Sequence, residues 1–418
     1  MPHGQLYQTT IDGASIATWN TDIAALVLQT YCYCEIWSGI NYVAPSMGSL
    51  VIGSLEVIAG TVTIDRSNQI RRTASNVTML KDTANVLMPI ANGASGDYSP
   101  YGHELKIFKG FRTAGGGNLV AQLGSYLIEE VDVKEDASGV TLVGTLKDRS
   151  EWIARRKFYR PYTSTATTAD VQIENLLTEI LQATYLFIPF TFTTTTYLPS
   201  IGNFAIGDDP WKACCDIAAS AGMQLYFDYA GTLILEPIPD QTTSATASTY
   251  TEGTSLAPTT LARAVSNNAV PNVICVIGQG SSITTPIQAW WWDSNPASKT
   301  YYAAAPAGGF TPTTPQTTLN APDPAAVYPY LIEKFDTPLA ASAAQAQAIA
   351  IAIGLTAIGS MEKATFTIRD NAAQDVDDIL LMQRVKAGIP ASTKYVVDHV
   401  QVALDSVTPM QISTRLVV

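Results

Sequence analysis

At 418 residues the chain is too long for one ordinary hydrophobic core, which points to two to four domains. Hydrophobic residues make up 47% and charged residues only 14%, against roughly 25% charged in typical soluble domains. Thr, Ser, Asn and Gln must then supply the polar surface, as in sheets and tightly packed assemblies. The net charge of −12 excludes a protein that wraps duplex DNA, which needs a basic face, but not a conduit that repels it.

The first thirty residues carry little pattern beyond a short helix expected over Asp22–Gln29. The opening MPHGQLYQTT has neither a basic n-region nor an apolar core, so no secretory signal is expected. Strands are expected at Tyr31–Trp37, within Val51–Asp65 (one or two, broken by Gly53 and Gly60) and at Ile70–Leu80. Lys81–Ser99 reads as a loop. Three further strands, Tyr101–Phe111, Leu119–Lys134 and Val140–Leu146, alternate apolar and polar residues and are separated by turn-forming Ala114–Asn118 and Asp136–Gly139. Residues 31–160 thus hold about six or seven antiparallel strands, enough for a small barrel or sandwich.

The period changes at Thr168–Ala183. Ile173, Leu176, Leu177, Ile180 and Leu181 fall on one helical face, with Thr168 as the expected cap. A strand-like run, Leu186–Thr196, follows. In Gly207–Pro237, Asp208 or Asp209 caps a helix, Pro210 fits its first turn and Gly222 its C′ position. Met223–Tyr229 and Thr232–Pro237 then form a hairpin around Ala230-Gly231. These elements make an α+β insert. Residues 240–330 are nearly uncharged, with strands expected at Asn272–Gly278 and Pro286–Trp292 and a long loop or arm at Ala303–Asp323. Thr337-Pro338 is expected to open a helix running to about Ile358, and Ala364–Ile368, Ile379–Arg384, Tyr395–Leu404 and Met410–Val417 return to sheet. The most apolar segment, Ala346–Ile358, is shorter than the roughly 20 residues of a membrane span.

The residues that attract a chemical reading have a structural one beside it. Asp208 and Asp209 are helix caps rather than catalytic carboxylates. Asp375, Asp377 and Asp378 lack the glycine of an EF-hand loop and read as a solvated loop rather than a Ca²⁺ site. Glu129 and Glu130 point to opposite faces of a strand. Gly278-Gln279-Gly280 is a turn, short of any phosphate-binding motif. Of the five cysteines, Cys32 and Cys34 share a strand face, Cys214 and Cys215 are adjacent, and Cys275 stands alone. Free buried thiols are expected, as in a cytosolically folded protein, and His3, His103 and His399 offer no zinc spacing. No HExxH, GxSxG or Cys–His constellation appears, so no catalytic residue, cofactor or metal is expected. More than half of the Lys and Arg lie between Arg66 and Arg160. Arg149, Arg155, Arg156, Lys157 and Arg160 are read as an inter-subunit or inter-ring salt-bridge belt, ahead of a solvated edge or a nucleic-acid contact. In Trp290-Trp291-Trp292 the outer two share a face, placing Trp291 on a subunit contact rather than in a glycan platform.

Three passages resemble the baseplate or tail-tip hub proteins of tailed bacteriophages, nearest to the minor tail proteins of long-tailed phages, whose fold contractile-tail hubs share. They are GTVTIDRSNQIRRTAS at 60–75, the span 99–163 (SPYGHEL, LGSYLIEEVDV, then DRS and RKFYRPY), and 207–237 with GDDPWKA and LYFD. DSNPASKTY at 293–301 and the Ala/Gln helix at 340–355 are weaker echoes. The chain departs from the pattern in residues 1–30, in Asp375-Val376-Asp377-Asp378 where Pro-Gly-Asp is expected, and in a long 303–325 segment.

The resemblance implies a mainly β fold: two tail-tube-like antiparallel β-barrel domains plus a small α+β domain. The expected division is an N-terminal segment 1–30, a first barrel 31–162, the insert 163–239, a β-rich region with an arm 240–336, and a helix with strands completing the second barrel 337–418. It implies a non-enzymatic homotrimer at the virion's tail tip, assembled in the host cytoplasm. Its partners would be the tail tube or distal tail protein ring, the tape-measure protein and tip or fibre proteins. DNA would pass through its channel without specific binding. A receptor- or glycan-binding tail-tip protein, and the hub of a phage-derived injection or gene-transfer particle, are the alternatives.

Overall fold

The computed structural model describes residues 10–11, 14–15, 29–38, 48–80, 90–91, 94–95, 98–112, 118–136, 139–182, 188–199, 201–239, 241, 243–253, 258–266, 270–278, 286–337 and 339–417. Its first six long strands are β1 (Gln29–Ser38), β2 (Leu50–Asp65), β3 (Arg72–Leu80), β4 (His103–Arg112), β5 (Asn118–Asp136) and β6 (Gly139–Asp148). They hydrogen-bond in the order β1–β4–β5–β6–β3–β2, and β2 returns to β1, closing an antiparallel barrel. The period of two explains the closure: Cys32, Cys34, Ile36, Leu105, Ile107, Leu142 and Leu146 all face inward and are buried.

β2 is one strand, not two. At Gly60 the backbone takes φ +136°, and a Cβ there would lie 2.9 Å from Val77 Cα. The register against β3 slips on either side of Ala59, as at a bulge. Beyond this bend Thr61–Asp65 leaves β1 and pairs with Ala403–His399.

That partner belongs to a second six-stranded sheet. Its members are β10 (Thr246–Thr251), β11 (Thr260–Val265), β15 (Glu362–Ile368), β16 (Ile379–Arg384), β17 (Ile389–Ala403) and β18 (Met410–Leu416), ordered β10–β16–β17–β18–β15–β11. Among the described residues its end strands, β10 and β11, do not pair with each other. Arg263 of β11 reaches the carbonyls of Ala387 and Gly388 across that side. One continuous apolar core fills both sheets.

α1 (Arg149–Arg155) precedes the α+β insert expected at 163–239 and packs on its core through Ile153; the insert holds α2 (Ala169–Leu181), β7 (Phe190–Phe192), α3 (Pro210–Ser220), β8 (Met223–Phe227) and β9 (Leu233–Pro237). It has its own core, in which Ile173, Leu176, Leu177 and Leu181 meet Trp211, Ile217 and Phe227. Asp209 caps α3, Pro210 starts it and Gly222 follows it, as the sequence predicts. Thr168 occupies the cap of α2 but its side chain makes no capping bond. Of the described residues of the expected Leu186–Thr196 run, Phe190–Phe192 pairs as a strand.

The fourth unit is a three-stranded sheet of β12 (Val273–Gly278), β13 (Ile287–Trp292) and β14 (Ile332–Thr337), backed by α4 (Ala343–Gly359). Thr337 ends β14 and does not cap α4; Ser342 does, with Oγ accepting from Gln345 N at 3.2 Å. The segment between β13 and β14 is irregular, as expected for an arm, yet it packs back on its own sheet: Tyr302 and Phe310 contact Trp292. Expected elements over 22–28 and most of 81–97 lie outside the described residues.

The cap on α3 carries a direct test. Asp209 Oδ1 accepts from Trp211 N at 2.9 Å and Lys212 N at 3.1 Å. Asp209→Ala should cost about 1 kcal/mol in urea unfolding, and superimposable unfolding curves would remove the cap from the account.

Candidate functional site

The basic residues after β6 fall into two groups. Arg149 is 5% exposed: its Nε and Nη2 grip Glu104 at 2.9 and 2.7 Å, and Nη1 donates to the Gly231 carbonyl at 2.6 Å. It fastens the insert's hairpin to the barrel rim and has no side left for a neighbouring subunit, so it leaves the expected belt. Gln122 assists from β5 by donating to Tyr229 O at 2.8 Å. Arg155, Lys157 and Arg160 are 53%, 49% and 60% exposed, but each already has a carboxylate. Arg155 meets Glu129 and Glu151, Lys157 meets Asp209, and Arg160 meets Glu179, all within 3.1 Å. Arg156 lies over the Trp152 ring and donates to Ile180 O at 3.3 Å. The exposed cations are therefore offset locally, and exposed pairs of this kind add little stability.

Trp291 lies on the sheet that α4 backs. It is 4% exposed and lies against Gly354 of α4, while Trp292 and Trp290 pack on the arm. Most of the triple's surface is covered by the chain itself, by α4 on one face and by the arm on the other.

The strongest electrostatic feature is one the sequence reading missed. Asp375, Asp377 and Asp378 are not solvated; they are 4%, 3% and 0% exposed. The turn from Asp65 to Arg72 inserts three guanidiniums among them. Arg66 Nε and Arg71 Nη2 each lie 2.7 Å from an Asp377 oxygen, and Arg72 pairs with Asp375. Backbone bonds hold the frame: Arg66 N to Asp398 O at 3.0 Å, Asp377 N to Val397 O at 2.8 Å, Val397 N to Asp378 O at 3.0 Å. The insert reaches the same turn, with Trp211 Nε1 donating to Gln69 O at 2.9 Å and Arg71 stacked 3.9 Å from the Tyr226 ring centroid. First barrel, second sheet and insert thus meet at one largely desolvated, ion-paired joint. The sequence signal was the near-equality of two opposite clusters, Arg66/Arg71/Arg72 and Asp375/Asp377/Asp378.

Within the joint Asp378 differs from its neighbours. No cation touches it; Asp375 N donates to its Oδ2 at 2.9 Å, as does Gln374, and its Oδ1 has no partner. Burial, reinforced by the Asp375 charge, pushes its carboxyl well above the ordinary carboxylate range. Nearby, Lys109 of β4 places its ammonium 2.7 Å from Asp370 Oδ2.

The described residues contain no group of three or more His, Cys, Asp and Glu arranged to hold a metal ion. Burial raises the thiols, Cys32 and Cys215 to about 12, so they are poor nucleophiles. Two clefts flank α4, of about 530 Å³ beside Trp291 and Phe310 and about 700 Å³ between α3 and α4. No helix among the described residues is long and apolar enough to cross a membrane.

A scan of protein-family models finds no match, and neither does a search of curated proteins. Solved structures do match. The tail protein from Neisseria meningitidis MC58 aligns with a TM-score of 0.55 at 10% identity, over 92% of this chain and 96% of that one. The 43 kDa tail protein of prophage MuSo2 from Shewanella oneidensis gives 0.53 at 11%, over 92% and 98%. Prophage tail protein gp18 from Listeria monocytogenes EGD-e gives 0.50 at 9%, over 92% and 94%. At these identities the shared property is the fold: a mainly β phage tail-protein fold with small helical parts.

Two outcomes test the joint. Asp377→Ala strands the buried Arg71 guanidinium and removes the partner of the half-buried Arg66, and should destabilise the protein by about 3–5 kcal/mol; a loss under 1 kcal/mol would show that the cluster is solvated in solution. Asp378 is favoured as the neutral acid by the fold. Its contribution is complete below the ordinary carboxylate range and is lost as pH rises through its raised folded-state pKa. The thermal midpoint of Asp378→Asn should therefore gain on the parent as pH rises from 4 toward neutrality, whereas parallel pH profiles would refute the assignment.

Proposed function

We propose that the protein is a structural subunit of a phage tail tip, a non-enzymatic homotrimeric hub. The observation that carries this reading is the whole-length agreement with tail proteins, which covers nearly all of both chains rather than one shared module. The internal arrangement supports it. Each subunit sets two six-stranded β units side by side on one continuous sheet. Three copies would present six such units, matching a hexameric tail tube or distal tail ring at one end and a threefold tip at the other. In this reading the hub also meets the tape-measure protein and tip or fibre proteins, and DNA leaves through its channel unbound, in keeping with the net charge of −12. A phage-derived particle would use the same subunit in the same way. The glycan-binding reading has less support, because the tryptophans that suggested it are enclosed by α4 and the arm.

The belt proposed for subunit or ring contacts narrows to Arg155, Lys157 and Arg160, whose present carboxylate partners can be exchanged across an interface, together with Arg156, which lies over Trp152 beside them. Light scattering of the purified chain, alone and with its tube partner, should give three times 44.7 kDa in at least one state. Arg155→Glu combined with Arg156→Glu should abolish that species while leaving the circular dichroism spectrum unchanged. A monomer under both conditions that instead binds cell-wall glycan would overturn the hub, and an unchanged trimer in the double variant would remove the belt alone.

A further inference from the structure

Lys109 stands apart among the buried cations. Arg71, Arg72, Arg149 and Arg415 pair with carboxylates through guanidiniums, which are not nucleophiles. The other lysine–carboxylate pairs among the described residues are at least partly exposed. Lys109 instead sits in the inward row of β4 with Leu105, Ile107 and Phe111, and its side chain is 0% exposed. Its Nζ is 2.7 Å from Oδ2 of Asp370, which is 8% exposed, and it also donates to the carbonyls of Ala403 and, at 3.2 Å, Asp405. The second carboxyl oxygen, Asp370 Oδ1, has no hydrogen-bond partner.

We infer that Lys109 and Asp370 condense into an intramolecular amide cross-link between the closed barrel and the turn after β15. The reaction begins with one proton passed across the 2.7 Å contact from Lys109 Nζ to the Asp370 carboxylate, which gives the amine and the acid that condense. Burial favours that acid, raising the Asp370 carboxyl above its usual range against the opposing pull of Lys109. The amine lone pair attacks Asp370 Cγ and the Nζ–Cγ bond forms. A second proton moves from nitrogen to the departing hydroxyl, the Cγ–O bond breaks, and one water leaves. No oxidant or co-reactant is needed. Fixed proximity replaces the activation that such an acylation requires in solution. The remaining amide N–H keeps a carbonyl acceptor, Ala403 or Asp405, and the unpartnered oxygen leaves the core. The link would close a loop of roughly 260 residues, the long-loop case in which a cross-link most restricts the unfolded chain.

Intact mass spectrometry of the denatured full-length chain tests this. The expected mass is lower than the sequence mass by one water, and digestion should yield one branched peptide containing both Lys109 and Asp370. Lys109→Arg keeps the charge pair without a nucleophilic amine and should show its full sequence mass. Asp370→Asn offers a carboxamide to the same amine and should be lighter by one ammonia. A parent chain at full sequence mass, with Lys109 and Asp370 recovered in separate peptides, overturns the inference and leaves an ordinary buried ion pair. The result is independent of whether the chain forms a trimer.

Discussion

Desolvated charge at the turn between β2 and β3 sets the relations among the other parts. Two guanidiniums taken out of water, with a third half-buried beside them, carry a penalty that only well-placed carboxylates repay. Asp375 and Asp377 supply them from the far end of the chain, across some three hundred positions. The pairing can be complete only when the barrel and the second sheet are both in place, and the insert packs on the same turn. Hydrophobic burial stabilises each unit separately, but it is non-directional. The charged joint, with Trp211 and Tyr226 against it, fixes how the units sit.

Local chemistry was legible and distant chemistry was not. The helix and hairpin of 207–237 could be read because Asp209, Pro210, Gly222 and Ala230-Gly231 each act within a few residues. The barrel strands could be read because one face is dry and the other wet. β10, β11 and β14 escaped notice because they are end strands built of Thr, Ala and charged residues, with little alternation to reveal them. The start of α4 was misplaced because Thr337-Pro338 imitates a cap. The stronger signal was five residues on, where Ser342 and Gln345 form a reciprocal pair.

The candidate site shows the same division. Arg149, Arg155, Arg156, Lys157 and Arg160 lie close in sequence, yet their environments separate them: Arg149 is internal, the others lie at or near the surface with in-chain partners. Whether a cation faces a neighbour or its own fold depends on where Glu104 and Gly231 are brought, and neither position is encoded near Arg149. The same limit made Asp375, Asp377 and Asp378 look like a wet loop. Acidic residues with no local partner read as solvent-facing until the fold brings cations to them.

The bend at Gly60 has a mechanical consequence. Beyond it, β2 lies in register with β17 through five residue pairs that run along the strand axis. Tension that draws the two sheets apart along that axis loads those pairs together, in shear, so none can part without its neighbours. Tension across the strands would instead unzip them from one end. The subunit is therefore stiff in one direction and compliant in the other, and Gly60 marks where the stiff axis begins.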